Sequence, residues 1–291
     1  MERMKINKVY VVGTVQEVNT NIRTTANGRD YINGKVVVKS TINDVDSLIE
    51  MKILAFAKNK NGEDNKIYQS YTKLDSFLGK RVRVAAELRE GSMVNQSTGG
   101  VNHYNEIYLK FINPARTDDI DCATFEFGGF VVKGLYERKN KEDELLGYRI
   151  EVGQANYNDT SMQVIRFDVN KDDLNIANII ESNYVIGSTV SFSGNITYVS
   201  RTETRTEEVA FGDPIIKTFV VSEKTFRITG GNEPYGDEAP ETYTEEEIKK
   251  LVEAYKSADA ERVAKESASN EEPATPQGQA VSKLTRASSL I

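Results

Sequence analysis

The sequence has one cysteine, one histidine and no tryptophan among 291 residues. With Cys122 as the only cysteine, an intrachain disulfide is excluded, and Cys122 and His103 together cannot supply the ligands of a zinc cluster. The chain also lacks the run of about 18 apolar residues that a membrane helix needs. These absences favour a soluble protein of the cytoplasm, or of the host cytoplasm if the protein is viral.

Motifs that would indicate catalysis are lacking as well. The chain contains no GxxxxGK(S/T), GxGxxG, GxSxG or HExxH sequence. His103 follows two glycines in a predicted loop and is interpreted as solvated. The acidic clusters near Asp118 and Asp172 lie in a connector and at a helix start, where carboxylates stabilise the helix N-terminus. We therefore predict a protein that is not an enzyme and that binds no metal and no cofactor.

Charge is unevenly distributed along the chain. The formal net charge is −7, yet residues 230–272 alone carry 13 acidic and 5 basic residues, so that residues 1–229 are nearly neutral. Nucleic acids are bound largely through Lys and Arg contacts to phosphates. A nearly neutral body with an acidic tail permits such binding, although charge alone fits an ordinary protein with a solvated tail equally well.

Residues 1–229 consist of short segments rich in Val, Ile, Phe, Tyr and Thr, separated by Gly, Asn and Asp clusters. This pattern is typical of many short strands. The first five strands are predicted at residues 9–18, 31–40, 49–58, 81–89 and 106–112. Between the third and fourth, Ile67, Tyr71, Leu74 and Leu78 recur at helical spacing, and Gly79 provides a stop. Five strands with a helix between the third and fourth is the order of an OB barrel.

The same order recurs after a connector at residues 113–124. Strands are predicted at residues 127–136, 147–155, 162–169, 189–201 and 219–229, with a helix at 174–181. Two local matches support the repeat: VYVVGTV with FVVKGLY, which aligns Gly13 with Gly134, and FLGKRVRVAAEL with VIGSTVSFSGNI, which aligns Gly79 with Gly187. We predict a mainly β fold of two consecutive OB-type five-stranded β-barrels, residues 1–116 and 117–229. A two-sheet sandwich is the alternative.

Residues 230–291 are predicted to form an acidic linker, one C-terminal helix and a disordered tail. Gly, Pro and acidic residues dominate the linker. Thr244 and Glu247 form a capping box for a helix over residues 245–265. Its apolar face comprises Ile248, Leu251, Val252 and Tyr255. This face suits either docking in a partner's groove or packing on the second barrel.

The second and third strands carry the candidate binding face. A single nucleic-acid strand needs positive charge along its backbone and aromatic rings on which bases stack. Alternation places the basic and aromatic residues of these strands opposite the aliphatic ones, on the strands where OB barrels engage oligonucleotides. The flanking loops add two arginines and one tyrosine, with few acids nearby. The predicted nucleic-acid-binding residues are Arg23, Arg29, Tyr31, Lys35, Lys39, Lys52, Phe56, Lys58 and Tyr104. The alternative is a solvated outer face, because any half-buried sheet exposes lysines.

The second barrel is predicted to be a weaker contact surface. Its loops mix basic residues with about as many acids, and its outer positions Arg149 and Arg166 alternate with Glu151 and Asp168. Such a surface fits weak nucleic-acid contact, self-association or binding to another protein.

The arrangement of VYVVGTVQEV opening a barrel, LGKRVRV after a helix, a second copy and an acidic tail resembles the phage-type single-stranded DNA-binding proteins with tandem OB folds. The resemblance implies coating of unwound DNA in replication or recombination, and recruitment of replication or recombination proteins by an acidic C-terminus that also competes with DNA. Bacterial members end in an acidic tip closing on Pro-Phe, whereas this chain ends in LTRASSLI, which puts recruitment by its last residues in doubt. The alternative function is a structural or adaptor protein, such as a virion or assembly component.

Overall fold

The computed structural model describes residues 3–42, 44–95, 97–140, 142–207 and 215–270. The predicted disordered tail after residue 270 lies outside these residues. Within them, no helix combines the length and the apolar character that crossing a bilayer requires.

The first five strands close into a barrel in which β1 pairs with both β2 and β4, and β3 runs parallel to β5. Valines and isoleucines that alternate along these strands fill its interior. The order β1-β2-β3-β5-β4 is that of an OB barrel, as predicted. The elements are β1 (Asn7–Thr24), β2 (Asp30–Ile42), β3 (Val45–Phe56), α1 (Lys66–Tyr71) with a following 3-10 turn (Leu74–Phe77), β4 (Arg81–Val94) and β5 (Val101–Pro114).

The second set of strands repeats this topology. Strand β6 pairs with both β7 and β9, and β8 runs parallel to β10, which closes the order β6-β7-β8-β10-β9. The mainly β fold with two OB-type barrels is therefore confirmed, and the sandwich alternative is wrong. The elements are β6 (Cys122–Lys139), β7 (Leu145–Ala155), β8 (Met162–Asn170), α2 (Leu174–Asn183), β9 (Thr189–Glu207) and β10 (Ile215–Gly231).

The two barrels are joined through their first strands. Residues Asn7 to Val12 of β1 pair antiparallel with Phe127 to Cys122 of β6, so that a single sheet passes from one barrel into the other. The buried Gln154 amide donates to the carbonyl oxygens of Ile6 (2.8 Å) and Gly128 (2.7 Å) at this junction. One apolar core extends through both barrels. The boundaries predicted at residues 116 and 229 stay predictions.

The repeat is real, but one of the two predicted matches is out of register. Strand β1 shifts register between Val15 and Glu17, and β6 does so between Val131 and Lys133. A Cβ atom on Gly13 would lie 2.1 Å from the Lys39 oxygen, and one on Gly129 would lie 2.0 Å from the Gly153 oxygen. Gly13 therefore corresponds to Gly129, where the first strand changes partners, and not to Gly134. The motif match failed because a pair of adjacent valines precedes both Gly13 and Gly134, whereas the equivalent Gly129 lies before its valine pair.

The second predicted match is confirmed. Gly79 donates its backbone N–H to the Val15 oxygen (2.9 Å), and Gly187 donates to the equivalent Val131 oxygen (2.8 Å). Both glycines have positive φ angles, 71° and 91°, a conformation that side chains disfavour.

Residues 230–270 pack on the barrels, so of the two roles predicted for the apolar face of the helix, packing within the chain is the one observed. The capping box is present, because Thr244 N–H donates to the Glu247 carboxylate (2.8 Å) and Glu247 N–H donates to Thr244 Oγ1 (3.3 Å). It begins α3 (Glu245–Asn270). Leu251 is buried in a second apolar cluster beside Phe130 and Tyr243, and the predicted apolar face covers this cluster. Burial of that face offsets the entropy of ordering the linker and helix.

The corrected repeat predicts opposite effects for two glycines of the same strand. Gly129→Ala should destabilise the protein by about 1–3 kcal/mol or more, because its methyl group would collide with backbone. Gly134→Ala is the control, since no atom lies within 4 Å of its added Cβ, and its stability should be unchanged or raised by about 0.5–1 kcal/mol. Urea unfolding measures the stability of both variants. Equal changes in the two would refute the alignment of Gly13 with Gly129.

The packing of α3 predicts that its buried face contributes to stability. Leu251→Ala should lower the free energy of unfolding by about 2–5 kcal/mol. The neighbouring Lys250 is exposed, so Lys250→Ala should leave thermal melting almost unchanged. If Leu251→Ala melts like wild type, α3 does not belong to the folded body.

Candidate nucleic-acid interface

The candidate face is the outer surface of β2 and β3, and its alternation is as predicted. Val36, Val38 and Ile49 point into the barrel and are fully buried. The residues between them point outward, where Tyr31 lies opposite Phe56 and Lys35 lies opposite Lys52. The antiparallel register thus places an aromatic pair at one end of the face and a basic pair in its middle.

Every predicted lysine of this face has an acidic partner, so the expectation of few nearby acids is wrong. Lys35 Nζ lies 3.3 Å from both the Glu17 and the Glu50 carboxylates, and their hydrogen bonds raise the pKa of Lys35. The other pairs are Lys39 with Asp46 (2.6 Å), Lys58 with Asp64 (2.6 Å) and Lys52 with Glu106. These acids come from other turns or neighbouring strands, and reading one strand at a time cannot pair them.

The pair of Lys52 and Glu106 differs from the others in its burial. The Glu106 side chain is 8% exposed, whereas that of Lys52 is 43% exposed. Burial alone would lower the pKa of Lys52, but the hydrogen bond and charge of Glu106 outweigh it and raise the pKa. Lys52 therefore stays charged throughout the physiological range, with its head group at the surface of the groove.

The two predicted arginines differ from the lysines because neither has an acidic partner within the described part of the chain. Both are exposed. The Arg29 guanidinium lies 4.7 Å from the centre of the Phe56 ring, which in turn lies 5.8 Å from that of Tyr31. Arg23 pairs with Tyr31 across the β1–β2 hairpin. We call Arg23, Arg29, Tyr31 and Phe56 the arginine–aromatic cluster.

The predicted loop between the fourth and fifth strands is a paired hairpin, with Val94 opposite Val101. Tyr104 lies within β5 and is 43% exposed, and its ring covers Gly91, where a Cβ would come within 2.4 Å of it. His103 faces the other side of the hairpin. It was expected to be solvated, but it is largely buried. Its side chain is 10% exposed, and its two ring nitrogens each lie 2.9 Å from a carboxylate, those of Glu90 and Asp259.

Sequence reasoning missed several residues of the groove. Asn33, Leu54 and Tyr108 line the same depression as Lys35 and Lys52. The Arg89 guanidinium lies 4.3 Å from the centre of the Tyr108 ring. Tyr108 comes from β5, which lies beside β3, with Lys52 opposite Tyr108. The OB order predicts this neighbour, and applying the alternation rule to the fifth strand would have found Tyr108.

The equivalent face of the second barrel is covered within the chain. Asp168 binds both Arg138 and Arg149 at 2.8 Å, and Arg166 binds Glu90 of the first barrel at 3.1 Å. The Asn105 side chain exchanges two hydrogen bonds with the backbone of Arg166, at 2.6 and 3.0 Å. Arg166 therefore joins the two barrels, whereas Arg138, Arg149 and Asp168 pair within the second barrel. The weaker binding predicted for this surface stays a prediction.

Comparisons with known proteins place this geometry in context. The family model described as YorF matches residues 5–270. No curated protein matches the chain. The wild-type single-stranded DNA binding protein from Thermus aquaticus has a similar structure, with a TM-score of 0.51 and 10% identity over 81% of this chain and 96% of that chain. A deletion mutant of the same protein has a TM-score of 0.50 and 11% identity, over 82% of this chain and 98% of that chain. At this identity the similarity shows the fold.

The outward position of Phe56 predicts that it is dispensable for folding. Phe56→Ala should cost about 0.5–1.5 kcal/mol, the value of a lost aromatic pair. The control is Phe127→Ala, because Phe127 is fully buried and its loss should cost about 3–5 kcal/mol. Thermal melting compares the stabilities of the two variants. An equally large loss of stability in both would assign Phe56 to the core.

Proposed function

We propose that this chain, which belongs to the YorF family, is a non-catalytic protein that binds single-stranded DNA across the outer face of β2 and β3. The arginine–aromatic cluster carries the proposal. Aromatic rings flanked by unpaired guanidinium groups offer bases a stacking surface and phosphates a charge. The fold adds support, since OB barrels bind oligonucleotides on these strands.

The proposed role of each residue follows from its surroundings. Tyr31 and Phe56 stack bases, with Tyr104 as a further stacking residue at the hairpin. Arg23 and Arg29 contact phosphates without first breaking an ion pair. Lys35, Lys39, Lys52 and Lys58 contact phosphates only by exchanging a carboxylate for a phosphate oxygen, so each contributes less net affinity than an unpaired lysine.

Within this function, we assign the protein to the coating of unwound DNA in replication or recombination, as in the phage-type proteins that it resembles. Helix α3 is fixed on the barrels, so its exposed acids, among them Glu246 and Glu253, form a fixed acidic surface and not a mobile competitor for DNA. Recruitment of replication or recombination proteins is proposed for this surface. Self-association would have to use a surface other than Arg149 and Arg166, which bind within the chain.

Electrophoretic mobility shift with oligo-dT and with duplex DNA of equal length tests the function directly. The full chain should shift the single strand at lower protein concentration than the duplex, and the shift should weaken as salt rises. A shift of neither DNA would contradict the proposal and favour the structural or adaptor function.

The unpaired arginines predict a specific salt dependence. Arg23→Ala and Arg29→Ala should each weaken binding to oligo-dT and reduce the slope of log affinity against log salt by about 0.7 per lost phosphate contact. Arg262→Ala is the matched control, because Arg262 lies on α3 and pairs with Asp259. Slopes that are equal in all three variants would remove the two arginines from the interface.

A further inference from the structure

Glu106 is a buried carboxylate beside the proposed groove, and loss of its ion pair with Lys52 would be energetically unfavourable. Its side chain is 8% exposed and is held by Lys52. If Lys52 moves toward a phosphate, Glu106 is left as a buried charge, and breaking a buried pair by removing one partner is strongly unfavourable. A phosphate contact at Lys52 therefore needs a second cation near Glu106.

The second barrel places such a cation there. Lys224 of β10 donates from Nζ to the backbone oxygen of Asn105 (2.5 Å), the residue next to Glu106 in β5. Its ammonium lies 4.6 Å from the centre of the Tyr198 ring and 5.1 Å from that of Phe226. Within the described residues, no carboxylate accepts a hydrogen bond from Lys224. Lys224 thus brings an ammonium group from the second barrel to the backbone beside Glu106, close enough for the charge of Glu106 to favour its protonated form.

We propose that Lys224 is a positioning residue for the first barrel's groove, which compensates Glu106 when a phosphate of single-stranded DNA draws Lys52 away. The inference rests on the proposed function and extends it. No bond is made or broken covalently; Glu106 exchanges one ammonium partner for another. The second barrel thereby contributes to the affinity of the first without touching the DNA.

The titration of Lys224 gives this exchange a pH dependence. Burial lowers the pKa of Lys224 to about 8, against the opposing charges of Glu106 and Glu50, while Lys52 lowers it further. Two other groups at this site have raised pKa values: Lys52, through its hydrogen bond and charge interaction with Glu106, and Tyr108, chiefly through burial. Tyr198 supplies the remaining neighbouring hydroxyl.

The sign of the effect follows from linkage. When Lys52 leaves, Glu106 favours the charged form of Lys224, so DNA binding takes up a proton above pH 8 and affinity falls by up to tenfold per pH unit. Stability has the opposite sign. Because the pKa of Lys224 in the folded chain lies below its unfolded value of 10.5, the unfolded chain binds more protons, and this group makes folding more favourable as pH rises from 8. Titration of Lys224 therefore does not destabilise the fold over the pH range in which the affinity is expected to fall.

The test measures the affinity of the full chain for a fluorescent oligo-dT from pH 7 to 9.5 at constant ionic strength. Wild type should lose affinity above pH 8. Lys224→Arg should bind as wild type at pH 7 and lose no affinity up to pH 9.5, because a guanidinium stays charged. Lys224→Met should bind several-fold more weakly at pH 7 and show no pH dependence. Lys133→Met is the control, since Lys133 also lies over a ring, 3.7 Å from the centre of Tyr136, and should retain the wild-type profile.

Several outcomes would overturn the proposal. A wild-type profile in Lys224→Arg, or wild-type affinity in Lys224→Met at pH 7, contradicts it, and calorimetry in two buffers of different ionisation enthalpy checks the proton uptake independently. If Lys224→Met fails to fold, the arginine variant decides. Binding by wild type with no pH dependence refutes this inference alone, whereas no binding of oligo-dT by wild type at any pH refutes the proposed function as well.

Discussion

The pairing of β1 with β6 is the constraint on which the rest of the structure depends. Strand β1 pairs with β2, β4 and β6 at different points along its length. It can change partners only because Gly13, which has no side chain, leaves room for the Lys39 carbonyl. Once the first strands are joined, β4 and β5 of one barrel lie against β8 of the other. One end of β3 also contacts β9, through hydrogen bonds between the Ser47 hydroxyl and the Tyr198 backbone, whereas the end of the face that carries the arginine–aromatic cluster stays open.

The open face is balanced electrostatically. Three of its four lysines share hydrogen bonds with partly exposed carboxylates, and such pairs contribute little to stability. Under the proposed function, a ligand phosphate competes with these carboxylates for the same ammonium groups, so a densely charged chain would be favoured over a single anion. The arginine–aromatic cluster at one end of the face would bind without this competition.

Local patterns predicted most of the fold, because each strand, turn and cap is specified by neighbours in sequence. The alternation of Val36 and Val38 with Lys35 and Lys39 assigned the faces of β2 correctly, and the capping box found the first residue of α3. Long-range pairing was beyond such patterns. The contact of Lys52 with Glu106, the burial of His103 and the alignment of Gly13 with Gly129 all depend on strands brought together only by folding.

The position of α3 has a consequence for synthesis. Its buried face completes a cluster with Met4, Phe130 and Met162, and its first turn binds Arg3 at the other end of the described chain through Glu247. During translation the N-terminal residues and both barrels leave the ribosome before this helix does. A nascent chain therefore carries an uncovered apolar patch until residues 245–270 emerge, and this second apolar cluster is complete only when α3 packs against Met4 and Phe130.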